Sequence, residues 1–342
     1  MTFKTYWEKT DQHFQVSEQT IQGMVEQAFP EKKLASYEMI SGGCANLNIK
    51  INLAYERKLF ILRIYLRDKL AAYREQKLAA LIKKSIPIPE IYFVGECEGH
   101  RFAITEYMPG LSLRELLLTP PKAHIESLMV QVGLILASIQ RYQFPTSGFF
   151  DEDLKIREPL SRQSYITYAR ECLAYPMVGE VIGQESIGKI NEMLEKYGPF
   201  FPDETQTHLV HGDYGPENIL VDQVEGQWKI TAILDWEFAY SGSTLCDVSN
   251  MLRYAHHMPP IFEEAFLTGL AQREVILPPQ WRISVYLFDL ISLLGCLIGS
   301  SPKEHPNRCA DIRELIGSCL GQLGRVDIYK DKCKREIRSK NE

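Results

Sequence analysis

The pattern of apolar residues in this chain changes character at Pro109-Gly110. Before that pair, strand signals dominate. The run KLFILRIYL alternates strictly, with Phe60, Leu62, Ile64 and Leu66 on one face and Ile61, Arg63, Tyr65 and Arg67 on the other, the period-two spacing of a strand. Runs around 34–41 and 47–53 read as two earlier strands joined by SGGCAN, and IYFVG and RFAITEYM as a fourth and a fifth. Ser17 caps a predicted helix through about Ala28, and a second helix spans roughly Leu70 to Lys84 before Pro87 and Pro89 stop it. After Gly110 helical patterns take over, at 112–118, 122–141, 161–174, 185–197, 261–272, 280–299 and 309–323. One β-hairpin interrupts them: ILVD, a QVEGQ turn, and WKITAILDW. The expected fold class is α+β and bilobal, a small β-rich N-lobe with one key helix and a larger, mostly helical C-lobe. The expected boundaries are 1–106, a hinge at 107–111, and 112–342. Clefts between lobes are where small-molecule sites commonly sit.

A chain of 342 residues can bury two such cores. The N-terminal stretch MTFKTYWEKTDQHFQ is polar and has no signal-peptide apolar region. The longest apolar run, Ile283 to Ile298, carries Asp289 and reads as a buried helix rather than a membrane span. Eight cysteines without a CxxC pair suit free thiols in a reducing compartment, so the expected location is cytoplasmic. Charge is uneven: residues 1–110 hold 15 Lys/Arg against 13 Asp/Glu (+2), and 151–325 hold 14 against 25 (−11). An acidic region of this size speaks against nucleic acid and favours a cationic or neutral ligand, although a solvated acidic surface would look the same.

Within the helical part, LVHGDYGPENILVD sets His211, Asp213 and Asn218 in a turn between two apolar runs. His-Gly-Asp alone is ordinary turn chemistry. The spacing D-x4-N, however, is that of a kinase catalytic loop, where the Asp receives the attacking hydroxyl's proton and the Asn holds Mg²⁺. A further acid, Asp235, ends the apolar strand ITAILDWE, where a hairpin would return it to the same place. Transfer of an anionic phosphoryl group to a weak hydroxyl nucleophile needs such a set.

The two segments HGDYGPENILVD and ILDWEFAYSGSTLCDVSNMLR resemble the aminoglycoside phosphotransferase and choline kinase-like family, small-molecule kinases on a protein-kinase-like fold. The similarity runs from about residue 35 to about 255 and thins towards the C-terminus. The resemblance implies Asp213 as catalytic base, Asn218 and Asp235 as magnesium ligands, and His211 and Asp247 as supports of the catalytic loop. It implies a phosphate-covering loop at SGGCAN, with Ser41, Gly42, Gly43 and Asn46, although those glycines alone would read as a plain hairpin. Where the protein-kinase pattern has a third-strand lysine this chain has Arg63, whose planar fork can hold phosphate and carboxylate together. Glu75 on the following helix is its candidate ion-pair partner. The hinge ITEYMPG resembles the adenine-binding segment, read by the Glu106 carbonyl and the Met108 amide, so side chains do not choose between ATP and GTP.

The expected activity is therefore ATP- and Mg²⁺-dependent phosphorylation of a small hydroxylated acceptor, with an aminoglycoside-like cation favoured by the acidic lobe. Choline or ethanolamine, sugars and amino alcohols are alternatives. For choline, Trp236, Tyr240, Tyr254 and Trp281 could form an aromatic box or simply be core. A nucleotide-binding scaffold without transfer rests only on Arg63. The expected partners are the nucleotide and the acceptor, without nucleic acid or membrane, in a monomer or homodimer.

Overall fold

The computed structural model describes residues 3–8, 16–40, 46–119 and 124–338, with side chains as far as Val326. Helix α1 (Glu18–Ala28) starts where the Ser17 hydroxyl accepts the Thr20 N–H, and it buries Ile21, Met24 and Val25, one face at helical spacing. Strands β1 (Leu34–Ile40), β2 (Leu47–Leu53) and β3 (Leu59–Tyr65), helix α2 (Ala71–Ile82), and strands β4 (Ile91–Cys97) and β5 (His100–Glu106) follow. The strands form one antiparallel sheet in the order β1-β2-β3-β5-β4. Its alternation decides both faces. Phe60, Leu62 and Ile64 join Ile49, Ile51 and the α1 residues in one core. Tyr65 on the opposite face joins Ala71 and Ala72 of α2. Arg63 shares that second face, which turns it towards α2 and the rest of the chain.

The larger part begins with β6 (Leu111–Ser112) and α3 (Leu113–Leu118), the latter opened by a reciprocal Ser112–Glu115 capping box. Next come α4 (Ile125–Ile139), β7 (Gly148–Phe150), β8 (Ile156–Pro159), α5 (Arg162–Ala174) and α6 (Pro176–Tyr197). The region around the His211–Asn218 loop contributes β9 (His208–Val210), β10 (Ile219–Val224), β11 (Gln227–Ile233) and β12 (Tyr240–Gly242). Helices α7 (Leu245–Leu252), α8 (Ile261–Ala271), α9 (Trp281–Leu297) and α10 (Pro306–Arg338) complete it. Helix α9 is buried almost all round, from Ile283 to Leu297, and includes Asp289. Among the described residues no helix is long and apolar enough to cross a membrane.

Three features differ from the sequence reading. The hairpin turn is only Glu225-Gly226, both at positive φ (53° and 77°) with Val224 paired to Gln227. Such a two-residue turn matches the right-handed twist of its strands, so β10 runs on past ILVD to Val224, while β11 begins at Gln227 and ends at Ile233, short of the end of WKITAILDW. Helix α6 starts at Pro176, not near 185, and is broken at Gly183 (φ 78°, ψ 158°); glycines at 179, 183 and 188 hide the first half from propensity reasoning. A small sheet, β8-β7-β12-β9, is made of strands too short to show periodicity.

Helices α4 and α8 cross with glycine against glycine. A Cβ on Gly133 would lie 2.2 Å from the Phe266 carbonyl oxygen, and one on Gly269 would lie 2.1 Å from that of Val130. The backbones therefore touch, and α4 is held at a depth where the Val132 carbonyl accepts the buried Tyr214 hydroxyl at 2.9 Å. Tyr214 follows Asp213, so the crossing sets the height of the loop that carries Asp213.

Candidate functional site

The loop from His211 to Asn218 is fixed by its own backbone and by Asp247 beneath it. Asp247, on α7, accepts the His211 N–H at 2.8 Å and the Gly212 N–H at 2.9 Å, one on each carboxylate oxygen. Gly212 has φ 85°, and a Cβ there would meet the Phe238 carbonyl oxygen at 2.5 Å, so only glycine fits the turn. The His211 ring is fully buried, packs at 4.5 Å and a 52° tilt against Trp236, and donates from Nε2 to the Leu234 carbonyl at 2.9 Å. That bond assigns the proton to Nε2 and leaves Nδ1 to accept the Asp213 N–H at 3.2 Å. Burial lowers the His211 pKa and keeps the ring neutral despite the surrounding carboxylates.

Asn218 completes the loop. Its Nδ2 donates to both the Asp213 carbonyl and the Asp213 Oδ2, each at 2.9 Å, which fixes the carboxylate plane. The Asn218 carbonyl accepts the Leu234 N–H at 2.8 Å. Through Leu234, bonded to both His211 and Asn218, the end of β11 is locked to the loop, and Asp235 follows directly. Asp235 is left-handed (φ 67°, ψ 60°), a conformation unusual for a non-glycine residue and one found at functional sites held by their surroundings.

From the sheet side, Arg63 Nη2 donates to Asp235 Oδ1 at 2.5 Å and lies 3.6 Å from Glu75 and 3.5 Å from Glu237. Glu75 accepts the Tyr65 hydroxyl at 2.8 Å. Burial opposes the Arg63 charge, but Asp235 and Glu75 more than offset it and hold the guanidinium well above its ordinary pKa. The structure thus brings Asp213, Asn218, Asp235, Arg63 and Glu75 to the join between the sheet and the helical part. Asn46 is also there, with its side chain spent on the protein: Nδ2 donates to Glu237 Oε2 at 2.9 Å and Oδ1 accepts the Leu66 N–H at 3.2 Å. Ser41, Gly42 and Gly43 lie outside the described residues. At 106–108, the Glu106 N–H is taken by the Glu90 carbonyl at 2.8 Å and the Tyr107 N–H by that of Leu59 at 3.4 Å; Met108 lies outside any helix or strand. The four aromatic candidates each pack on a different neighbour: Trp236 on His211, Tyr240 on Phe149, Tyr254 on Phe3, and Trp281 under Arg282.

Two members of the site escape sequence reasoning. Glu217 in the catalytic loop and Lys4 near the N-terminus form an ion pair at 2.5 Å, and the same ammonium donates to Asp213 Oδ1 at 2.9 Å. Burial alone would raise the Asp213 pKa, but Lys4 outweighs it and holds the carboxyl below its ordinary value. No local signal marks a lysine 209 residues away in a polar terminus.

Among the described residues no group of three or more His, Cys, Asp or Glu forms a ready metal cage. Magnesium with a nucleotide does not require one, since it keeps waters and takes one or two protein oxygens plus phosphates. The donor set fits that pattern. The amide oxygen of Asn218 is not used by the bonds its nitrogen makes, and Asp235 has a second oxygen besides the one that Arg63 holds.

Asp247 also gives the site a pH signature. Burial pushes its carboxyl from 3.8 up to about 7, against the two backbone donors. The folded value lies above the unfolded one, so between about pH 4 and 7 the folded chain holds a proton that the unfolded chain has lost. Stability from this group therefore falls as pH rises and is gone above about pH 7, a swing of roughly 4 kcal/mol. Asp247→Asn cannot titrate, and its unfolding free energy is expected to fall less between about pH 4.5 and 7.5 than that of the wild type. Equal slopes in urea titrations would show that Asp247 is ionised throughout.

Comparisons with known proteins give the chain's family and fold. Residues 36–283 match the family model described as the phosphotransferase enzyme family, APH. Hygromycin-B 4-O-kinase of Escherichia coli is 22% identical over 251 residues, covering 72% of this chain and 71% of that protein. A ternary complex of a thermostable mutant of aminoglycoside phosphotransferase APH(4)-Ia with AMP-PNP and hygromycin B superposes with a TM-score of 0.67. It is 18% identical and covers 89% of this chain and 99% of that one. The GDP and kanamycin complex of APH(2")-IIia gives a TM-score of 0.68 at 15% identity, covering 88% and 98%. The fold is protein-kinase-like, and the chain belongs to the phosphotransferase enzyme family.

Proposed function

We propose that the enzyme transfers the γ-phosphoryl group of ATP, as its magnesium complex, to a hydroxyl of a small cationic acceptor of the aminoglycoside kind; GTP is the alternative donor. One observation carries the reading: the Leu234 backbone ties the Asp213–Asn218 loop to Asp235, so a base and two oxygen donors share one rigid frame. In this reading residues 1–106 bind the nucleotide, the 107–111 hinge meets the base through the Glu106 carbonyl and the Met108 amide, and 112–342 hold the acceptor. Asp213, ionised at neutral pH, orients the acceptor hydroxyl and takes its proton. Asn218 and Asp235 would hold magnesium, which when bound neutralises charge on the phosphates. Arg63, steadied by Glu75, stands ready beside them for phosphate oxygens, while His211 and Asp247 keep the loop in shape.

The acceptor class rests on charge. Residues 151–325 carry 14 Lys/Arg against 25 Asp/Glu, a surplus of 11 negative charges in the part that would face the acceptor. The relatives' aminoglycosides, hygromycin B and kanamycin, fit such a surface, and with them a role in antibiotic resistance. A coupled ADP-release assay tests it with Mg·ATP against an aminoglycoside panel, choline, ethanolamine and sugars. Release with aminoglycosides well above that of Asp213→Ala is expected. Release only with a neutral sugar would sink the cationic acceptor and leave the kinase.

A further inference from the structure

During phosphoryl transfer, negative charge spreads over three equatorial oxygens, and a kinase needs cations beside the metal to hold it. Arg63 comes from the sheet side, with its Nη2 on Asp235 at 2.5 Å. Arg253 is buried behind the loop on Asp289, Asn250 and Ser292, at 2.5, 2.9 and 2.9 Å. Lys4 is placed differently. Its ammonium touches the catalytic loop at Asp213 and Glu217, and an ammonium has a third donor to give. We propose that Lys4 is a further catalytic residue, a cation supplied in cis by the N-terminal segment that donates to the phosphoryl group on its way to the acceptor. The proposal rests on the phosphoryl-transfer reading above.

The segment that carries Lys4 is seated in the fold. Phe3 is fully buried with its ring 4.9 Å from that of Tyr254. The Phe3 carbonyl accepts from Arg114 Nη1 at 3.3 Å. Trp7 Nε1 donates to Asp311 Oδ2 at 2.8 Å, and the Tyr254 hydroxyl donates to the same oxygen at 2.6 Å. The Glu8 carboxylate accepts the Asn307 and Arg308 N–H groups at 2.8 and 3.1 Å, at the start of α10. Anchors on both sides hold Phe3 and Lys4 in the left-handed region, at φ 42° and 62°. That conformation is unfavourable for a residue with a side chain and persists only when the surroundings impose it. What it achieves is the delivery of one ammonium to the catalytic carboxylate. Burial opposes the charge there, but Asp213 and Glu217 overcome it, so Lys4 stays protonated across the working pH range.

In the step itself the γ-phosphorus–oxygen bond breaks with its electron pair going to the leaving nucleotide. The acceptor oxygen forms the new bond, and its proton passes to Asp213. Lys4 keeps its proton throughout and donates a hydrogen bond to an equatorial oxygen of the group in transit.

The test uses the full chain with Lys4→Met and Lys4→Ala, both of which leave Phe3, Trp7 and Glu8 in place; thermal unfolding shows that each is folded. With an acceptor from the panel, kcat is expected to fall by about 10²–10³-fold, with nucleotide KM within about threefold. Methylammonium is expected to restore part of the Lys4→Ala rate. A second readout needs no acceptor: calorimetric binding of Mg·ADP with and without aluminium fluoride, a mimic of the phosphoryl group in transit. The wild type is expected to bind ADP more tightly with fluoroaluminate, and Lys4→Met to lose that gain while binding ADP alone as before. If no acceptor is phosphorylated, the transfer reading falls, yet the fluoroaluminate comparison still decides on Lys4. An unchanged gain in Lys4→Met overturns the proposal. So does a higher kcat/KM for the acceptor, which would make Lys4 a plug that the acceptor must displace.

Discussion

Asp213→Asn is expected to slow phosphoryl transfer by about 10³-fold, within the 10²–10⁴ usually owed to a positioned base, while nucleotide affinity stays within about twofold. The asparagine has nearly the same shape and keeps an oxygen for the Asn218 amide, which now donates to Asp213 Oδ2 at 2.9 Å. What it loses is the capacity to take a proton and the negative charge opposite Lys4. Binding and chemistry should therefore separate cleanly: single-turnover transfer collapses and nucleotide titration does not move. A variant that turns over within tenfold of the wild type would place the base elsewhere.

The second large effect is expected behind the His211–Asn218 loop rather than in it. Asp289→Leu should lower the unfolding free energy by about 3–5 kcal/mol, the usual cost of leaving one partner of a buried ion pair alone. Side chains of Arg253 and Asp289 are only 2% and 6% exposed, and their contact is 2.5 Å. Arg253 would keep Asn250 and Ser292, neutral groups that do not offset a buried charge. Asn250 in turn donates to the Gly212 carbonyl at 3.0 Å, so the same change should loosen the catalytic loop and slow transfer. Combining Asp289→Leu with Arg253→Met removes both charges and should recover much of the stability. Urea unfolding measures all three; a loss below about 1 kcal/mol for the single variant would mean that water reaches the pair.

Elements whose residues speak through local spacing were legible in the sequence. Ser17 announces α1, the alternation around Arg63 fixes β3 and its two faces, and the spacing of Asp213 and Asn218 singles out their loop. Residues whose partners come from distant elements were not. Lys4 meets Asp213 across 209 positions, and Asn46 meets Glu237 across 191. Glu217 carries no local mark, because the cation that pairs with it lies outside any motif. The strands of the small β8-β7-β12-β9 sheet are only three or four residues long, below what periodicity can resolve, and the first half of α6 was masked by glycines whose backbone freedom suggests loop.

The glycine contact between α4 and α8 has a consequence for how such an enzyme can change its diet. Neither position has room for a side chain, and α4 carries the carbonyl that Tyr214 grips, so a substitution at Gly133 or Gly269 would shift the chemistry for every acceptor alike. Adaptation to a new acceptor has to be sought in side chains that do not bear on this crossing. The catalytic frame and the substrate-reading surface can then drift at different speeds along one chain, the first frozen by contact and the second open to trial.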